Sequence, residues 1–331
     1  MTDVLKVPVK MRYFFAAIFA CTVVFSCVNP VSEKQFEPVA FPSVKVPSLI
    51  QGGPMSYSYL AEHFWDNFVD TSRMSFPTDS LYVGGVKRAE VEQNIANYIA
   101  IADRIPREES EKYISNLTVR LLDYERADTS SIFFETMSEI LIRYLYDPNS
   151  PLRNEDLYHG MAVVLSGYEG FSDAHRLKYS YDAKMTGLNA VGTEATDFAF
   201  SDRNGNVRNL SSIRADYTVL FFSNPGCNAC MDIISALNNP AVKDAVSSGR
   251  LAVLNMYIDE DIVQWYEYMS VYPEYWYNGY DPNFVIRDGS LYNIRAIPSL
   301  YVLDSDKVVM MKDAPLENVL SFLENIVFSV E

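Results

Sequence analysis

The feature that most constrains the fold is a short apolar run that leads directly into two cysteines. Residues 218–222 read TVLFF, and residues 223–230 continue as SNPGCNAC. An uninterrupted apolar run of this length is typical of a strand buried in the middle of a sheet. After Cys230, apolar residues recur at helical spacing until Asn238-Asn239-Pro240 ends the pattern. The sequence therefore predicts a strand, a cysteine-bearing turn and a helix in immediate succession.

Length and charge limit the classes of partner. The 331 residues suggest two domains, at about 150 residues per domain. The formal net charge is −16, and a negative field of this size repels nucleic acid and anionic lipid headgroups. We therefore expect no nucleic-acid partner.

The N-terminus has the pattern of an export signal. Three cations precede an almost purely apolar run at residues 13–25. The run is shorter than the about 20 residues that a membrane-spanning helix needs. We therefore expect residues 1–26 to be a signal peptide rather than a permanent membrane anchor.

The apolar run ends in the sequence VFSC, in which Cys27 follows a small residue. This resembles the lipobox of bacterial lipoproteins, whose cysteine is lipidated and becomes the new N-terminus. A second candidate, Cys21 in IFAC, leaves a shorter apolar region before it. We expect lipid attachment at Cys27, and the alternative is an ordinary buried cysteine.

The stretch after Cys27 is predicted to be a tether, and a helical domain is predicted to follow it. Residues 27–55 contain five prolines and show no sustained helical period, so they should run extended. Residues 56–188 repeat apolar positions at steps of three and four, as in Val91, Ile95 and Tyr98. This predicts an all-α domain, whose function the residues do not reveal.

Residues 190–331 have a different periodicity. Asn204-Gly205 marks a tight turn between two short strands, and residues 251–258 repeat the fully apolar pattern of a buried strand. SLYVLD at 299–304 and KVVMM at 307–311 read as a hairpin, and a final helix is expected at 315–328. Together these elements predict a mixed α/β layer structure.

Two stretches resemble a known family. ATDFAFSDRNGNVRNLSSIRADYTVLFFSNPGCNAC at residues 195–230, followed downstream by AIPSLYVLD, is similar to the exported, membrane-tethered thioredoxin-like proteins of the TlpA and ResA type. The resemblance implies an α/β thioredoxin-like domain, a central mixed sheet flanked by helices, at 190–331. It implies that Cys227 is the nucleophile, that Cys230 resolves the mixed disulfide and that a cis-proline loop at Pro298 lies against the pair. The helical domain resembles one of unsettled function found ahead of thioredoxin modules in bacterial lipoproteins.

The chemistry also follows from the residues. A cysteine at a strand-to-helix junction lies at the positive end of the helix dipole, which favours the reactive thiolate. A second thiol one turn away can displace a bound substrate, because exchange proceeds through a mixed disulfide. We expect backbone groups of Ile297, beside Pro298, to pair with the substrate. Asn228 and Ala229 add no positive charge to the thiolate, which favours a reductant or isomerase over an oxidant.

The chain departs from the family at three positions. Gly226 stands where thioredoxins usually carry tryptophan, and Phe221 stands where they carry a buried aspartate. Ile233 replaces the glutamate of the ResA type. The usual general base is thus missing at both of its places. Asp232 is adjacent, but its direction on the helix differs.

Other interpretations of the cysteine pair and of one aromatic stretch stay open. A zinc site needs about four ligands, and no histidine follows His175, so we expect no metal and no other cofactor. The pair could instead be buried as small apolar residues. The aromatic-rich residues 265–281 fit either packing on the sheet or recognition of a partner.

The sequence thus predicts a lipid-anchored thiol-disulfide oxidoreductase of the cell envelope, facing the periplasm or the cell surface. Its expected partners are disulfide-containing exported proteins and an upstream electron donor, and it meets the membrane through its N-terminal lipid. The alternative is a non-catalytic binding or scaffold lipoprotein that uses the thioredoxin-like fold and its aromatic surface.

Overall fold

The computed structural model of the chain describes residues 36–328. The expected signal peptide at 1–26 and the expected lipid site at Cys27 lie outside the described residues. Within the described part, no helix is both long enough and apolar enough to cross a membrane. The described residues from Pro38 onward cluster as one compact unit.

The N-terminal half of this unit is helical, as the periodicity predicts. Its elements are α1 Pro54–His63, β1 Tyr82–Val83, β2 Val86–Lys87, α2 Arg88–Ala102, α3 Arg107–Ala127, α4 Phe133–Tyr146, α5 Glu155–Ser166 and α6 Asp173–Thr186. The apolar positions of α2 that repeat at helical spacing are buried in one core shared by the helices. The antiparallel hairpin β1–β2 is an addition to the expected all-α domain.

Part of the predicted tether packs against the helical half. Phe41 is 7% exposed, and its backbone N–H donates to the Glu90 carboxylate at 2.8 Å. The Val39 N–H donates to the carbonyl of Gly85 in the β1–β2 turn. Phe41 therefore belongs to the apolar core of the helical half, and Val39 packs against that core.

The C-terminal half is a sheet with helices on it. Its elements are β3 Ala199–Asp202, β4 Val207–Asn209, β5 Tyr217–Phe222, α7 Asn228–Leu237, α8 Pro240–Ser247, β6 Leu251–Tyr257, α9 Ile262–Tyr268, β7 Tyr277–Tyr280, α10 Val285–Asp288, β8 Ser299–Asp304, β9 Val309–Met311 and α11 Leu316–Phe322. A π-helical turn, Leu323–Val327, continues α11.

The sheet is mixed, and the strand before the cysteines lies inside it. The seven described strands run in the order β4-β3-β7-β6-β5-β8-β9. β5 pairs in parallel with β6 and antiparallel with β8, so its apolar residues are covered on both edges. Burial on both faces explains the uninterrupted run TVLFF, since neither side of the strand meets water.

Each face of the sheet carries its own apolar core. Side chains of α7, α8, α9 and α11 pack on one face, with Phe221 and Val253 from the strands. Phe222 and Leu254, the next residues along the same strands, point into the core on the opposite face. The cysteine-bearing helix α7 therefore lies on the face of Phe221.

Candidate functional site

The cysteines lie where β5 passes into α7. Cys227 is the residue that caps α7, and its sulfur accepts a hydrogen bond from the backbone N–H of Cys230 at 3.2 Å. The two residues form a disulfide, with their Cα atoms 5.2 Å apart. A sulfur at this position faces the unpaired N–H groups and the positive dipole end of the helix. The local fold therefore favours a thiolate at Cys227 once the disulfide is reduced.

The two sulfur-bearing residues differ in access. Cys230 is 1% exposed and packs in the apolar core, whereas Cys227 is half-buried. The intervening Asn228 and Ala229 are exposed. An incoming disulfide can therefore approach Cys227, while the fold shields Cys230.

The turn before Cys227 is held by conformation and by one side-chain bond. Gly226 has a φ of +74°, and a Cβ there would meet no heavy atom within 4 Å. The backbone conformation rather than lack of space thus selects glycine, where many thioredoxins carry tryptophan. One residue before Pro225, the Asn224 side-chain amide donates to the Asp259 carboxylate at 2.6 Å. This bond ties the turn to the loop that follows β6.

The predicted substrate residues enter the site from the neighbouring strand. We call residues 293–298 the proline loop; its Ile297–Pro298 peptide bond is cis. Strand register pairs Phe222, the last residue of β5, with Ser299, the first residue of β8. Directly opposed antiparallel residues have Cα atoms about 5 Å apart. The proline loop therefore enters β8 beside the point where β5 leads into the cysteine turn.

The surface of the proline loop is accessible. Ala296 is exposed, and Ile297 and Pro298 are half-buried. Ile297 and Cys227 both pack at the border of the same apolar core. The structure thus brings the four predicted site residues, Cys227, Cys230, Ile297 and Pro298, to one end of the sheet.

The layer beneath the cysteines is neutral. Phe221 and Ile233, at the two positions where relatives carry acids, are buried apolar residues. Across the sheet Phe221 pairs with Asn255, whose Oδ1 accepts from the Ser223 hydroxyl. The Asn255 amide in turn donates to Asn278 Oδ1 at 3.2 Å. Apolar side chains thus stand at both of these positions, and amides and a hydroxyl lie beside Phe221 on the sheet.

The aromatic stretch 265–281 is mainly core. Trp265, Tyr272 and Trp276 are 0%, 2% and 5% exposed, and burial raises the pKa of Tyr272 to about 12. Tyr266, at 44% exposed, is the large apolar residue of the stretch that reaches the surface most. These exposures confirm the packing interpretation for the three buried side chains, because most of their surface is buried in the apolar core on one face of the sheet.

The sequence did not predict three residues near the site, Asn255, Arg295 and Glu155. Asn255 had a readable signal, since an amide stands in the otherwise apolar strand LAVLNMY. Arg295 and Glu155 had none, because their ion pair joins residues 140 positions apart. Such a contact follows from the tertiary fold alone.

The fold and the cysteine turn define a thioredoxin-like protein. A solved structure described as a thioredoxin-like protein from Bacteroides caccae ATCC 43185 superposes with a TM-score of 0.71. It is 28% identical, and the match covers 87% of this chain and 99% of that one. Residues 22–187 match the family described as Domain of unknown function (DUF5106), and the chain belongs to that family.

Other solved structures match a smaller share of the chain. The C-terminal domain of an uncharacterized protein from Bacteroides fragilis NCTC 9343 is 38% identical, with 41% of this chain and 99% of that chain covered and a TM-score of 0.40. A domain of a possible thiol-disulfide isomerase from Cytophaga hutchinsonii ATCC 33406 is 26% identical, with coverages of 41% and 91% and a TM-score of 0.34. No curated protein matches this chain.

Proposed function

We propose that this protein is an exported thiol-disulfide oxidoreductase that reduces or isomerises disulfides of other exported proteins. One observation carries the proposal: a half-buried Cys227 caps α7 and forms a disulfide with a buried Cys230 on a thioredoxin-like sheet. A disulfide that closes so small a loop adds little stability by the chain-entropy argument, which supports a redox rather than a structural role.

The proposed reaction is two successive thiol-disulfide exchanges. The Cys227 thiolate attacks one sulfur of the substrate disulfide, forms a mixed disulfide and releases the other substrate sulfur as a thiolate. Cys230 then attacks Cys227 Sγ, which re-forms the Cys227–Cys230 disulfide and releases the second substrate sulfur. Two electrons thus pass from the protein to the substrate.

The Cys230 thiol must lose its proton before it attacks, and positions 221 and 233 hold no carboxylate that could accept it. The Cys230 proton can pass to the substrate thiolate that departs in the first step, so the proton balance closes within the complex. Because Phe221 and Ile233 cannot accept a proton, we expect this resolving step to be slow. A dithiol donor protein must then reduce the Cys227–Cys230 disulfide before the next turnover.

Trapping tests the proposal. In a Cys230→Ser variant the mixed disulfide on Cys227 has no resolving thiol, so covalent adducts with exported proteins should accumulate and disappear on reduction. The matched Cys227→Ser variant should accumulate no such adducts. If neither variant forms adducts and the wild type reduces no peptide disulfide, the non-catalytic binding or scaffold lipoprotein becomes the better account.

The location is a separate part of the proposal and is supported by residues 1–27. We propose that the mature chain begins at a lipidated Cys27 and is held at the envelope membrane, facing the periplasm or the cell surface. Mass spectrometry of the membrane-extracted protein should find an N-terminal peptide with a diacylglycerol-type mass on Cys27. A mature soluble form that begins elsewhere would remove this part of the proposal and leave the redox chemistry standing.

A further inference from the structure

A buried carboxylate of the helical half faces the thioredoxin-like half. Glu155 is the first residue of α5, and its side chain is 1% exposed. Asn154 caps this helix by accepting from the Leu157 N–H, which fixes where the helix begins. An acid in the first turn is also favoured by the helix dipole. The local sequence thus holds the Glu155 carboxylate in one place.

Glu155 binds the beginning of the proline loop. Its Oε1 accepts from the side-chain amide of Asn293 at 2.8 Å and from Nε of Arg295 at 2.7 Å. Asn293 is 5% exposed. Two of the loop's side chains are therefore anchored on a single oxygen that belongs to the helical half.

Asp313 binds Arg295 within the loop and Ser299 directly after it. Its Oδ2 accepts from Nη2 of Arg295 at 2.7 Å, and its Oδ1 accepts from the hydroxyl of Ser299 at 2.8 Å. Ser299 follows Pro298 directly, and Arg295 comes two residues before Ile297. The segment between them, which carries the proposed substrate contacts, is thus held on either side.

Lys312 and two residues of the helical half, Arg153 and Tyr146, complete the cluster. Lys312 Nζ lies 3.1 Å from Glu155 Oε2 and donates to the carbonyl of Thr186, the last residue of α6. Arg153 donates to the backbone carbonyl of Asp313 at 2.7 Å. The Arg295 guanidinium lies over the ring of Tyr146 in α4, 4.2 Å from its centroid.

The charges in this cluster depend on one another. Burial raises the pKa of Glu155, and the cations Lys312 and Arg295 oppose that rise. Burial also opposes the charge of Arg295, but Glu155 and Asp313 raise the pKa of its guanidinium above the ordinary value. Removing one member of such a group leaves the others buried and unpaired, so the arrangement resists displacement.

We propose that the helical DUF5106 half positions the proline loop for substrate binding. Glu155 does so by binding Asn293 and Arg295, so the helical half contributes to the redox site. The proposal deepens the proposed function and rests on it. An extended substrate needs the loop's backbone groups in a fixed place, because small misplacements of a binding edge lower rates steeply. Glu155, Arg295 and Asp313 are positioning residues, since they act through the loop.

Hydrogen–deuterium exchange tests the positioning directly and needs no substrate. In a Glu155→Gln variant the amide proton of Ile294, which donates to the carbonyl of Tyr292 and lies between the two anchored residues, should exchange about 10-fold faster than in the wild type, because the loop opens locally. Glu92→Gln is the matched control: it also removes a carboxylate paired with two arginines, but these lie in α2 and α4. It should leave exchange in the loop unchanged. Equal loop exchange in Glu155→Gln and wild type would overturn the positioning role.

Kinetics then test the link to substrate. With a peptide disulfide, Glu155→Gln should lower kcat/KM about 10-fold, chiefly through KM, whereas reduction of the small aromatic disulfide 5,5′-dithiobis(2-nitrobenzoate) should be unchanged. A general structural defect would slow both substrates together, and that result would contradict the proposal. If Glu155→Gln does not fold, Asn293→Ala, which removes the neutral loop partner of Glu155, should show the same selective loss. A wild type that reduces neither disulfide would overturn the proposed function, while the exchange result would still decide the positioning role.

Discussion

At the residue scale, the two cysteines occupy different environments although only two residues separate them. Cys227 is half-buried at the start of α7, and Cys230 is 1% exposed within the core. The Cys227 sulfur also accepts a hydrogen bond from the backbone N–H of Cys230. Access and stabilisation of negative charge therefore favour the same atom as the nucleophile.

We predict that Cys227 reacts faster than Cys230 with an alkylating reagent in the reduced protein. At mildly acidic pH the difference should be about 10-fold or more, because the helix end favours thiolate only at Cys227. Rates for each cysteine can be followed by peptide mass spectrometry. In denaturant the two rates should become similar, which attributes the difference to the fold, and faster labelling of Cys230 in the native protein would reverse the assignment.

The sequence could predict the role of those residues whose role depends on neighbouring positions in the chain. A strand followed by a cysteine-bearing helix start is readable from neighbouring positions, and the structure places Cys227 at that junction. Asn255 could be noticed as an amide in an apolar strand, but its bond to Ser223 depends on the pairing of β5 with β6. Glu155 could not be linked to the loop, because nothing in the chain near residue 155 specifies residues 293–295.

At the element scale, Glu92 joins α2 to α4. Its carboxylate accepts from Arg88 in its own helix and from Arg143 and Tyr144 in α4. Burial opposes ionisation of Glu92, but these three donors together lower its pKa below the ordinary value of 4.5. The two helices are therefore joined more strongly when this carboxylate is charged.

We predict a pH-dependent stability loss in Glu92→Gln. A carboxyl group whose pKa is lowered by folding contributes stability above its unfolded pKa and loses it as pH falls through the folded value. The variant should thus be less stable by about 0.5–1 kcal/mol at pH 7, with the difference shrinking below about pH 4.5. Denaturant unfolding at several pH values measures this, with the exposed Glu267→Gln as control. A difference that stays constant down to pH 3 would contradict the assigned ion pairs.

Elements with strong periodicity could be predicted, and short ones could not. The hairpin of β8 and β9 and the helices α2, α3 and α4 lie where the apolar spacing placed them. β7 was missed because its residues, YNGY, lie in an aromatic stretch without alternation and become a strand by pairing with β6 and β3. α8 was missed because Pro240 reads as a helix stop, whereas here it begins the next helix after the Asn239 cap.

At the scale of the whole molecule, a helical family domain and a thioredoxin-like domain share one buried ionic cluster. Glu155, Arg295 and Asp313 are each at most 11% exposed as side chains. Charges so deeply buried are retained at a cost in desolvation, which suits a role in fixing geometry rather than in adding stability. The proposed redox site therefore includes residues of both halves.

We infer that this protein donates electrons through the Cys227–Cys230 pair, and the reduction potential of the pair decides the direction of electron flow. The exposed residues between the cysteines, Asn228 and Ala229, add no positive charge, so the thiolate is stabilised chiefly by the helix end. We predict a potential nearer to the about −270 mV of thioredoxin than to the about −120 mV of a strong oxidant.

The purified protein is equilibrated with thiol buffers of graded potential, and the free thiols of Cys227 and Cys230 are then quantified by alkylation. We predict that the pair is fully oxidised in mildly oxidising glutathione and becomes reduced only in strongly reducing dithiothreitol buffers. A pair that is still reduced at potentials above about −150 mV would show an electron acceptor, and the proposed direction of the reaction would be wrong.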